Sequence, residues 1–378
     1  MLLENEKSNA LYIRGKRNSM RYKLPEKKEE ILKRVGNISQ IAGAKRYYLA
    51  DGRGAGIECV DVRTGTGFVY TVMPGRGMDI GWCGFEGMPI SYISKAGISA
   101  PSYFTGVKDQ WLQCFPGGML STCGLGNVGD YCEDFTEGLG QQTFGLHGRI
   151  SNQCAGNVCV NERWDKDTFV MEVSGMTTEA QLRGENFSLH RTVTGKLGGN
   201  CFVMKDIITN EDFVERPYMV MYHINFGYPI VDKDAKIIIR SKKKFADTKV
   251  SIENMADAYK ITDPVNGIEE ELYFHQTKAL NEKGFAAVVN DNIEAMAYVR
   301  YTANTLPYLT EWKMMGDSDY VVGLEAGNCI PRGRRYHREK GLIKVLSPGE
   351  STENELEIGV VVGKKEIVLF LEKEDIKN

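Results

Sequence analysis

The sequence predicts an all-β protein, a large antiparallel β-sandwich preceded by a short helical segment. After residue 40, apolar runs of four to eight residues recur between glycine, asparagine and aspartate, which is the pattern of strands and turns. Glycine occupies 41 of the 378 positions, and helical periodicity over more than ten residues is scarce. Because many strands must limit their exposed edges, they favour a sandwich or a barrel.

One helix is expected near the start of the chain, where residues 25–35 read PEKKEEILKRV. Proline lies in the first turn, acidic residues follow it, and Gly36 provides the stop signal. Apolar runs then predict strands, for example at 67–73, 168–174, 201–207, 236–240 and 366–371. Since no Pro/Ser-rich linker or repeat divides the chain, we expect an N-terminal extension over 1–40 and one β-sandwich domain over 41–378.

Composition excludes several classes of partner. The formal net charge of -3 gives no field that would attract nucleic acid or an anionic membrane. The first ten residues lack the apolar core of a signal peptide, and no stretch approaches the ~20 apolar residues of a membrane span. Nine cysteines without a CxxC pair favour a reducing compartment over disulfides or zinc. We therefore expect a cytoplasmic protein, and a homo-oligomer is left open.

The five histidines divide into two groups. His190, His275 and His337 lie in a polar alternating strand, an ordinary strand and a basic run, so we expect structural or surface roles for them. His147 has glycine on its far side and Arg149 close by, and His223 ends an apolar strand. Each of these two, taken alone, is compatible with a satisfied core histidine as well as with a catalyst.

Strand alternation adds a detail at His223. A period of two places Met219, Met221, His223 and Asn225 on one face of that strand.

Glu325 is an anomaly, because it interrupts the apolar strand at 320–327. Burying a carboxylate costs several kcal/mol unless it is paired or its pKa rises. A structural ion pair to a nearby arginine is one explanation, and a carboxylate held where a base is needed is the other.

Two glycine-rich segments are unusual for simple loops. Residues 114–132 are too apolar for a surface loop, so they indicate either a tight β-arch or backbone that approaches a ligand. Residues 73–80 set Arg76 and Asp79 among glycines, but a strand rather than a helix should follow, so the segment is not a nucleotide loop.

A carboxylate with one or two imidazoles, and no serine or cysteine nucleophile motif, can move protons on a small polar substrate. The residues alone do not identify that substrate.

Three segments occur in the order GLHGR (145–149), YHINFG (222–227) and GLEAGN (323–328). This order resembles the active-site segments of the aldose 1-epimerase (galactose mutarotase) superfamily. The chain is most similar to a branch of uncharacterised aldose 1-epimerase family proteins that share a domain of unknown function. The resemblance runs from about residue 45 to 365, and four motifs carry it: MPGRGMDIG, FPGGMLSTCGLGNVG, GLHGRISN and LPYLTEWK.

The resemblance implies a two-sheet β-supersandwich and interconversion of the α- and β-anomers of a free sugar. By motif position, Glu325 would take the proton from the C1 hydroxyl and His223 would protonate the ring oxygen. His147 would hold the sugar and stabilise charge near that oxygen. The resemblance implies no metal or organic cofactor, and its one partner is a small-molecule sugar.

The chain departs from the family pattern in two places. Tyr222 stands where the family has asparagine before the histidine, and Ala326–Gly327 replaces Pro-Gln after the glutamate. The sugar-gripping residues therefore have only candidates, which are Arg76, Asp79, Arg149, Asn225 and Lys313. So many basic groups suggest the hypothesis of an acidic sugar, such as a uronate or a sugar phosphate.

Two other functions stay open at this point. The same residues could serve an epimerase, isomerase or lyase that abstracts a carbon-bound proton from a keto or acidic sugar. The chain could also be a non-catalytic carbohydrate-binding or regulatory protein on the same scaffold, since fold does not fix function.

Overall fold

The computed structural model describes residues 24–136 and 138–376. Within these ranges the helices are α1 (Lys28–Leu32), α2 (Lys249–Glu253), α3 (Gly333–Glu339) and α4 (Lys364–Lys373). The strands are, in chain order, β1 (Gly43–Tyr48), β2 (Glu58–Arg63), β3 (Phe68–Met73), β4 (Asp79–Phe85), β5 (Met88–Pro89), β6 (Tyr92–Ile93), β7 (Gly117–Gly118), β8 (Leu120–Leu125), β9 (Cys132–Thr136), β10 (Gly140–Phe144), β11 (Gly156–Asp165), β12 (Thr168–Ala180), β13 (Asn186–Lys196), β14 (Cys201–Asn210), β15 (Arg216–Phe226), β16 (Lys236–Ile239), β17 (Ser241–Phe245), β18 (Glu271–Thr277), β19 (Lys283–Asn290), β20 (Ala295–Thr302), β21 (Tyr308–Met315), β22 (Tyr320–Gly327), β23 (Lys344–Leu346) and β24 (Ser351–Val362).

Two large antiparallel sheets form the body of the protein. The first sheet has the strand order β1-β2-β3-β4-β8-β15-β22-β21-β18-β17, with β5 beside β4 and β23 beside β15. The second has the order β11-β12-β13-β14-β24-β20-β19-β16. Apolar side chains from both sheets, such as Val220 of β15 and Met204 of β14, belong to one buried core between them. The predicted all-β sandwich is confirmed.

The strands predicted at 67–73, 168–174, 201–207 and 236–240 are present as β3, β12, β14 and β16. The strand predicted at 366–371 is wrong, because these residues lie in α4. A short apolar run does not distinguish a strand from a buried helix turn. Here Ile367 and Leu371, four residues apart, lie on one helix face and pack against β19 and β20.

The N-terminal helix α1 lies inside the predicted range 25–35 and buries Ile31. The prediction about the first ten residues falls outside the described residues, and the division at residue 40 stays a prediction. None of the described helices is long and apolar enough to cross a bilayer. All nine cysteines lie among the described residues and are unpaired. The cytoplasmic location stays a prediction.

Arg191 of β13 is the centre of a polar network between the sheets. Its guanidinium, 0% exposed, donates to both carboxylate oxygens of Asp206 at 2.8 and 2.6 Å and contacts Asp79 at 3.2 Å. Thr122 of β8 donates to Asp79 at 2.6 Å, and the Tyr222 hydroxyl of β15 donates to Asp206 at 2.8 Å. Burial raises the pKa of Asp79 to about 6, although Arg191 opposes that rise. The network joins three strands of the first sheet to two of the second.

We predict that Arg191→Met lowers the free energy of unfolding by about 3–5 kcal/mol, because it leaves buried carboxylates without their counter-ion. The matched control is Arg163→Met, since Arg163 pairs with Glu172 on the exposed side of the same sheet. That change should cost less than about 1 kcal/mol. Urea unfolding measures both, and equal losses in the two variants would contradict the role given to Arg191.

Candidate active site

The site forms where two central strands of the first sheet lie side by side. Strands β15 and β22 are antiparallel, with Tyr222 opposite Ala326 and Asn225 opposite Gly323. This register places His223 directly opposite Glu325 on the neighbouring strand. Period-two alternation turns both side chains away from the sandwich core, whereas Tyr222 points into the core.

His223 and Glu325 form a close buried pair. The His223 Nε2 atom lies 3.1 Å from Glu325 Oε1, and the two residues are 5% and 2% exposed. Glu325 Oε1 nevertheless has no aligned hydrogen-bond partner among the described residues. The arrangement leaves that oxygen able to accept a proton from a bound hydroxyl.

Asn225 determines which nitrogen of His223 carries a proton. The Asn225 amide nitrogen lies 2.9–3.3 Å from three backbone carbonyls, those of Gly117, Gly118 and His223, which accept its two hydrogens, so the amide orientation is fixed. Its oxygen therefore faces His223 Nδ1 at 2.6 Å and can only accept. It follows that Nδ1 carries the hydrogen and that Nε2, which faces Glu325, is the atom that gains or loses a proton.

His147 takes the opposite tautomer. Its backbone N–H donates to the Gly129 carbonyl at 3.0 Å, and the Gly129 N–H donates back to the His147 Nδ1 atom at 3.3 Å. Because Nδ1 accepts this bond, a neutral His147 carries its hydrogen on Nε2. Its φ of +57° is rare for a residue other than glycine, and such strained conformations concentrate at functional sites.

Gly129 is required at its position for a steric reason. A Cβ there would lie 2.0–2.4 Å from backbone atoms of Pro331. The glycine-rich segment therefore lets two backbone segments touch directly beside His147. The expectation that the backbone of this segment approaches a ligand stays a prediction.

These side chains line a cavity of about 230 Å³. The ring centroids of Trp111 and His147 are 4.5 Å apart, those of Phe115 and His223 4.9 Å, and those of His223 and Trp312 5.2 Å. Three aromatic rings therefore surround the two imidazoles. The full lining is Trp111, Leu112, Phe115, Gly129, Asp130, Leu146, His147, His223, Glu270, Leu272, Trp312, Glu325, Pro331 and Arg332.

Gly323 creates room for the carboxylate on β22. A Cβ at this position would lie 2.5 Å from Glu325 Oε1 and 3.1 Å from the Trp312 ring. Glycine here allows Glu325 and Trp312 to share one side of the cavity.

Burial sets the protonation of the three central groups. It lowers the pKa of His223 to about 4, although the Asn225 hydrogen bond opposes the shift. Burial, followed by the nearby His223, lowers the pKa of His147 well below its usual range. Burial, followed by the charge of Glu270, raises the pKa of Glu325 well above its usual range. These opposite shifts favour the form of the Glu325–His223 pair in which one proton is shared and the pair is neutral, and they keep His147 neutral.

The other candidate residues lie in different places. Arg76 is buried and donates to the carbonyls of Ser99 and Cys114, and Asp79 belongs to the Arg191 network. Lys313 pairs with Glu271 at 2.8 Å. Because Trp312 and Lys313 are consecutive on β21, Lys313 lies on the face of the sheet that points away from the cavity. Arg149 lines a separate cavity of about 160 Å³. Of the five binding candidates, only Asn225 touches the central group, and it does so through His223.

Sequence reasoning did not select the aromatic residues Trp111, Phe115 and Trp312 or the acidic residues Asp130 and Glu270. Trp312 stands in the LPYLTEWK motif, which offered a signal for it. Phe115 and Asp130 lie in the glycine-rich segment 114–132, which was singled out as a whole and not by these side chains. Trp111 lies on a short 3₁₀ turn and Glu270 on a loop, and the path of such segments over the sheet has no periodic signature.

No group of three or more histidine, cysteine or acidic side chains among the described residues has the geometry to hold a metal ion. The arrangement offers one shared proton, one imidazole N–H donor and an aromatic wall. These groups can transfer a proton between two oxygens of a small polar ligand.

The family described as "Domain of unknown function (DUF4432)" matches residues 54–360. A Klebsiella pneumoniae protein assigned as an aldose 1-epimerase has a TM-score of 0.82 at 22% identity, over 90% of this chain and 91% of that one. A galactose mutarotase-like protein from Clostridium acetobutylicum has a TM-score of 0.60 at 17% identity, over 85% and 99%. Galactose 1-epimerase from Lactobacillus acidophilus has a TM-score of 0.56 at 11% identity, over 85% and 99%. None of the curated proteins compared matches the chain. These similarities identify the fold as galactose mutarotase-like.

We predict opposite tautomers for the two site histidines near neutral pH. Long-range ¹H–¹⁵N spectra of histidine-labelled protein should show a protonated Nδ1 for His223 and a protonated Nε2 for His147. In Asn225→Leu the first signal should change, because the acceptor at Nδ1 is gone, and the His147 signal should stay. The same tautomer for both rings in the wild-type protein would contradict the assignment.

Proposed function

The chain belongs to the DUF4432 family, and from this membership and the geometry of its cavity we propose that it is an aldose 1-epimerase-like enzyme that interconverts the anomers of a free sugar. One observation carries the proposal. Glu325 Oε1, which makes no aligned hydrogen bond among the described residues, lies 3.1 Å from the titrating nitrogen of His223 in a cavity of about 230 Å³ with an aromatic wall. Cavities for drug-sized ligands start at about 300 Å³, so this one suits a single small ring.

Proton transfer within the pair starts the reaction. The shared proton moves from Glu325 to His223 Nε2 across 3.1 Å, which gives a carboxylate beside an imidazolium. Glu325 then accepts the C1 hydroxyl proton while the bond from C1 to the ring oxygen breaks. His223 Nε2 gives its proton to the ring oxygen, and the sugar opens to an aldehyde.

Ring closure runs the same steps in reverse. After rotation about the C1–C2 bond, the former ring hydroxyl returns its proton to His223, and Glu325 protonates the new C1 oxygen. The pair holds one proton before and after each half-reaction, so no net charge develops in the buried site. His147 donates from Nε2 to the ring oxygen as that atom gains negative charge. Every step uses side chains of this chain, and the mechanism calls for no metal or organic cofactor.

A second function uses the same pair on a different atom. His223 or Glu325 could abstract a carbon-bound proton from a keto sugar, which would make the protein an epimerase, isomerase or lyase. Reactions followed by NMR in D₂O separate the two, because deuterium at carbon indicates this second chemistry and anomer exchange alone indicates the first. A non-catalytic binding protein would have no need for a buried base.

We predict that Glu325→Gln lowers the rate of anomer equilibration by ~10²–10⁴, because it removes the base and keeps the shape of the side chain. Polarimetry of freshly dissolved anomers across a sugar panel measures the rate, and circular dichroism checks the fold. Activity within tenfold of wild type in a folded variant would overturn the role given to Glu325.

We further predict that kcat/KM stays constant through neutral pH and falls below about pH 4. In this range the His223–Glu325 pair takes up a second proton, so neither group is left as a base. Because burial lowers the pKa of His223, the neutral imidazole persists far below the ordinary value near 6.5. An acid limb with its midpoint near 6.5 would contradict this protonation scheme.

A further inference from the structure

We propose that the mouth of this cavity is a subsite for a positively charged substituent, so that the enzyme prefers amino sugars to neutral sugars and excludes acidic ones. The inference rests on the proposed function and names the substrate class of the same site. Charge, hydrogen-bond capacity and burial of the lining residues carry it.

Acidic groups dominate the lining of the cavity. Glu270 and Asp130 contribute two carboxylates, and Glu325 adds a carboxyl group that shares a proton with His223, whereas Arg332 is the one lysine or arginine among the described lining residues. The two imidazoles are neutral, because burial lowers the pKa of both. A bound ligand therefore meets an excess of negative charge.

The charge of Arg332 acts on Asp130 and Glu270 and offsets part of that excess, but its guanidinium donors are already engaged. It donates to both carboxylate oxygens of Asp247, at 2.8 and 2.5 Å, and to the Pro331 carbonyl at 3.3 Å. The guanidinium Cζ atom of Arg332 lies 4.9 Å from the centre of the Phe274 ring. A sugar carboxylate or phosphate would have to displace Asp247 to reach this arginine.

Glu270 and Asp130 retain acceptor capacity. The Trp312 indole N–H donates to one oxygen of Glu270 at 2.8 Å, and the other oxygen has no recorded hydrogen bond within the described part of the chain. The Asp130 carboxylate likewise makes no ion pair or side-chain hydrogen bond with the described residues. Both side chains are exposed at the rim, where an ammonium group could reach them.

A second observation places a ligand in the same cavity. Glu325 is 2% exposed and lines the cavity, and its Oε1 atom, although 3.1 Å from His223 Nε2, makes no aligned hydrogen bond among the described residues. A buried polar atom without an aligned partner is unfavourable unless a ligand or water satisfies it. The rim carboxylates thus lie beside a buried group that a polar ligand would satisfy.

The chemistry of an ammonium group fits this lining. It carries one positive charge and three N–H donors, and charge-assisted bonds to carboxylates are roughly twice as strong as neutral ones. A uronate would instead place its charge next to Glu270 and Asp130. The basic groups that suggested an acidic sugar, Arg76 and Lys313 among them, have partners outside the cavity.

The test compares galactosamine, galactose and galacturonate at about pH 6, where the amino group is protonated. The expected order of kcat/KM is amine, then neutral sugar, then acid, with the amine roughly tenfold above the acid. Glu270→Gln should lower the ratio of kcat/KM for the amine to kcat/KM for the acid about fivefold. The change removes the negative charge and keeps an acceptor for the Trp312 N–H. Glu269→Gln is the matched control, since Glu269 is exposed and does not line the cavity, and its ratio should equal that of wild type.

Two results would overturn the subsite and leave the proposed function standing. One is turnover of these sugars with nearly equal kcat/KM for the amine and the acid. The other is the same ratio of these two values in Glu270→Gln and Glu269→Gln. If the protein equilibrates none of the sugars, the proposed function fails. Calorimetric titration of wild type and Glu270→Gln with galactosamine and galacturonate then decides the subsite alone. Tighter binding of the amine, weakened by Glu270→Gln, supports the subsite, and no binding or no preference overturns it.

Discussion

The buried Arg191 guanidinium is the interaction on which the geometry of the site depends. It joins Asp206 of the second sheet to Asp79 and Thr122 of the first, and Tyr222 of β15 completes the network through Asp206. Tyr222 and His223 are consecutive residues on opposite faces of that strand. A hydrogen bond behind the sheet therefore helps to fix the strand that presents the imidazole in front of it. Tyr222 stands where the superfamily motif has asparagine, and its hydroxyl donates a hydrogen bond to Asp206 in the core and does not face the cavity.

In front of the sheet, strand register and burial together create the chemistry. The register of β15 and β22 brings a carboxyl group and an imidazole to 3.1 Å from each other. Burial raises the pKa of Glu325 and lowers that of His223, so the pair holds one proton in its neutral form. Asn225 and Gly129 give the two imidazoles opposite tautomers. One histidine can thus exchange a proton while the other only donates a hydrogen bond.

The sequence was most informative where a pattern is local. Four of the five strands placed from short apolar runs are present, and the carboxylate inside an apolar strand singled out Glu325. The run at 366–371 gave the wrong element, because period alone does not separate a short strand from a helix that buries Ile367 and Leu371. Arg76, Asp79 and Lys313 lie away from the cavity, since their partners come from segments distant in the chain. Trp111 and Glu270 were not selected, because the paths of loops and short turns have no periodic signature in the sequence.

The central claim is that Glu325, His223 and His147 act on one sugar ring. A crystal structure of Glu325→Gln with a bound monosaccharide tests it most directly, because the slow variant retains the shape of the cavity. The account predicts the C1 hydroxyl within about 3 Å of the residue 325 amide and the ring oxygen within the same distance of an Nε2 atom of His223 or His147. A monosaccharide bound elsewhere, with the cavity beside Trp312 left to water, would contradict the account.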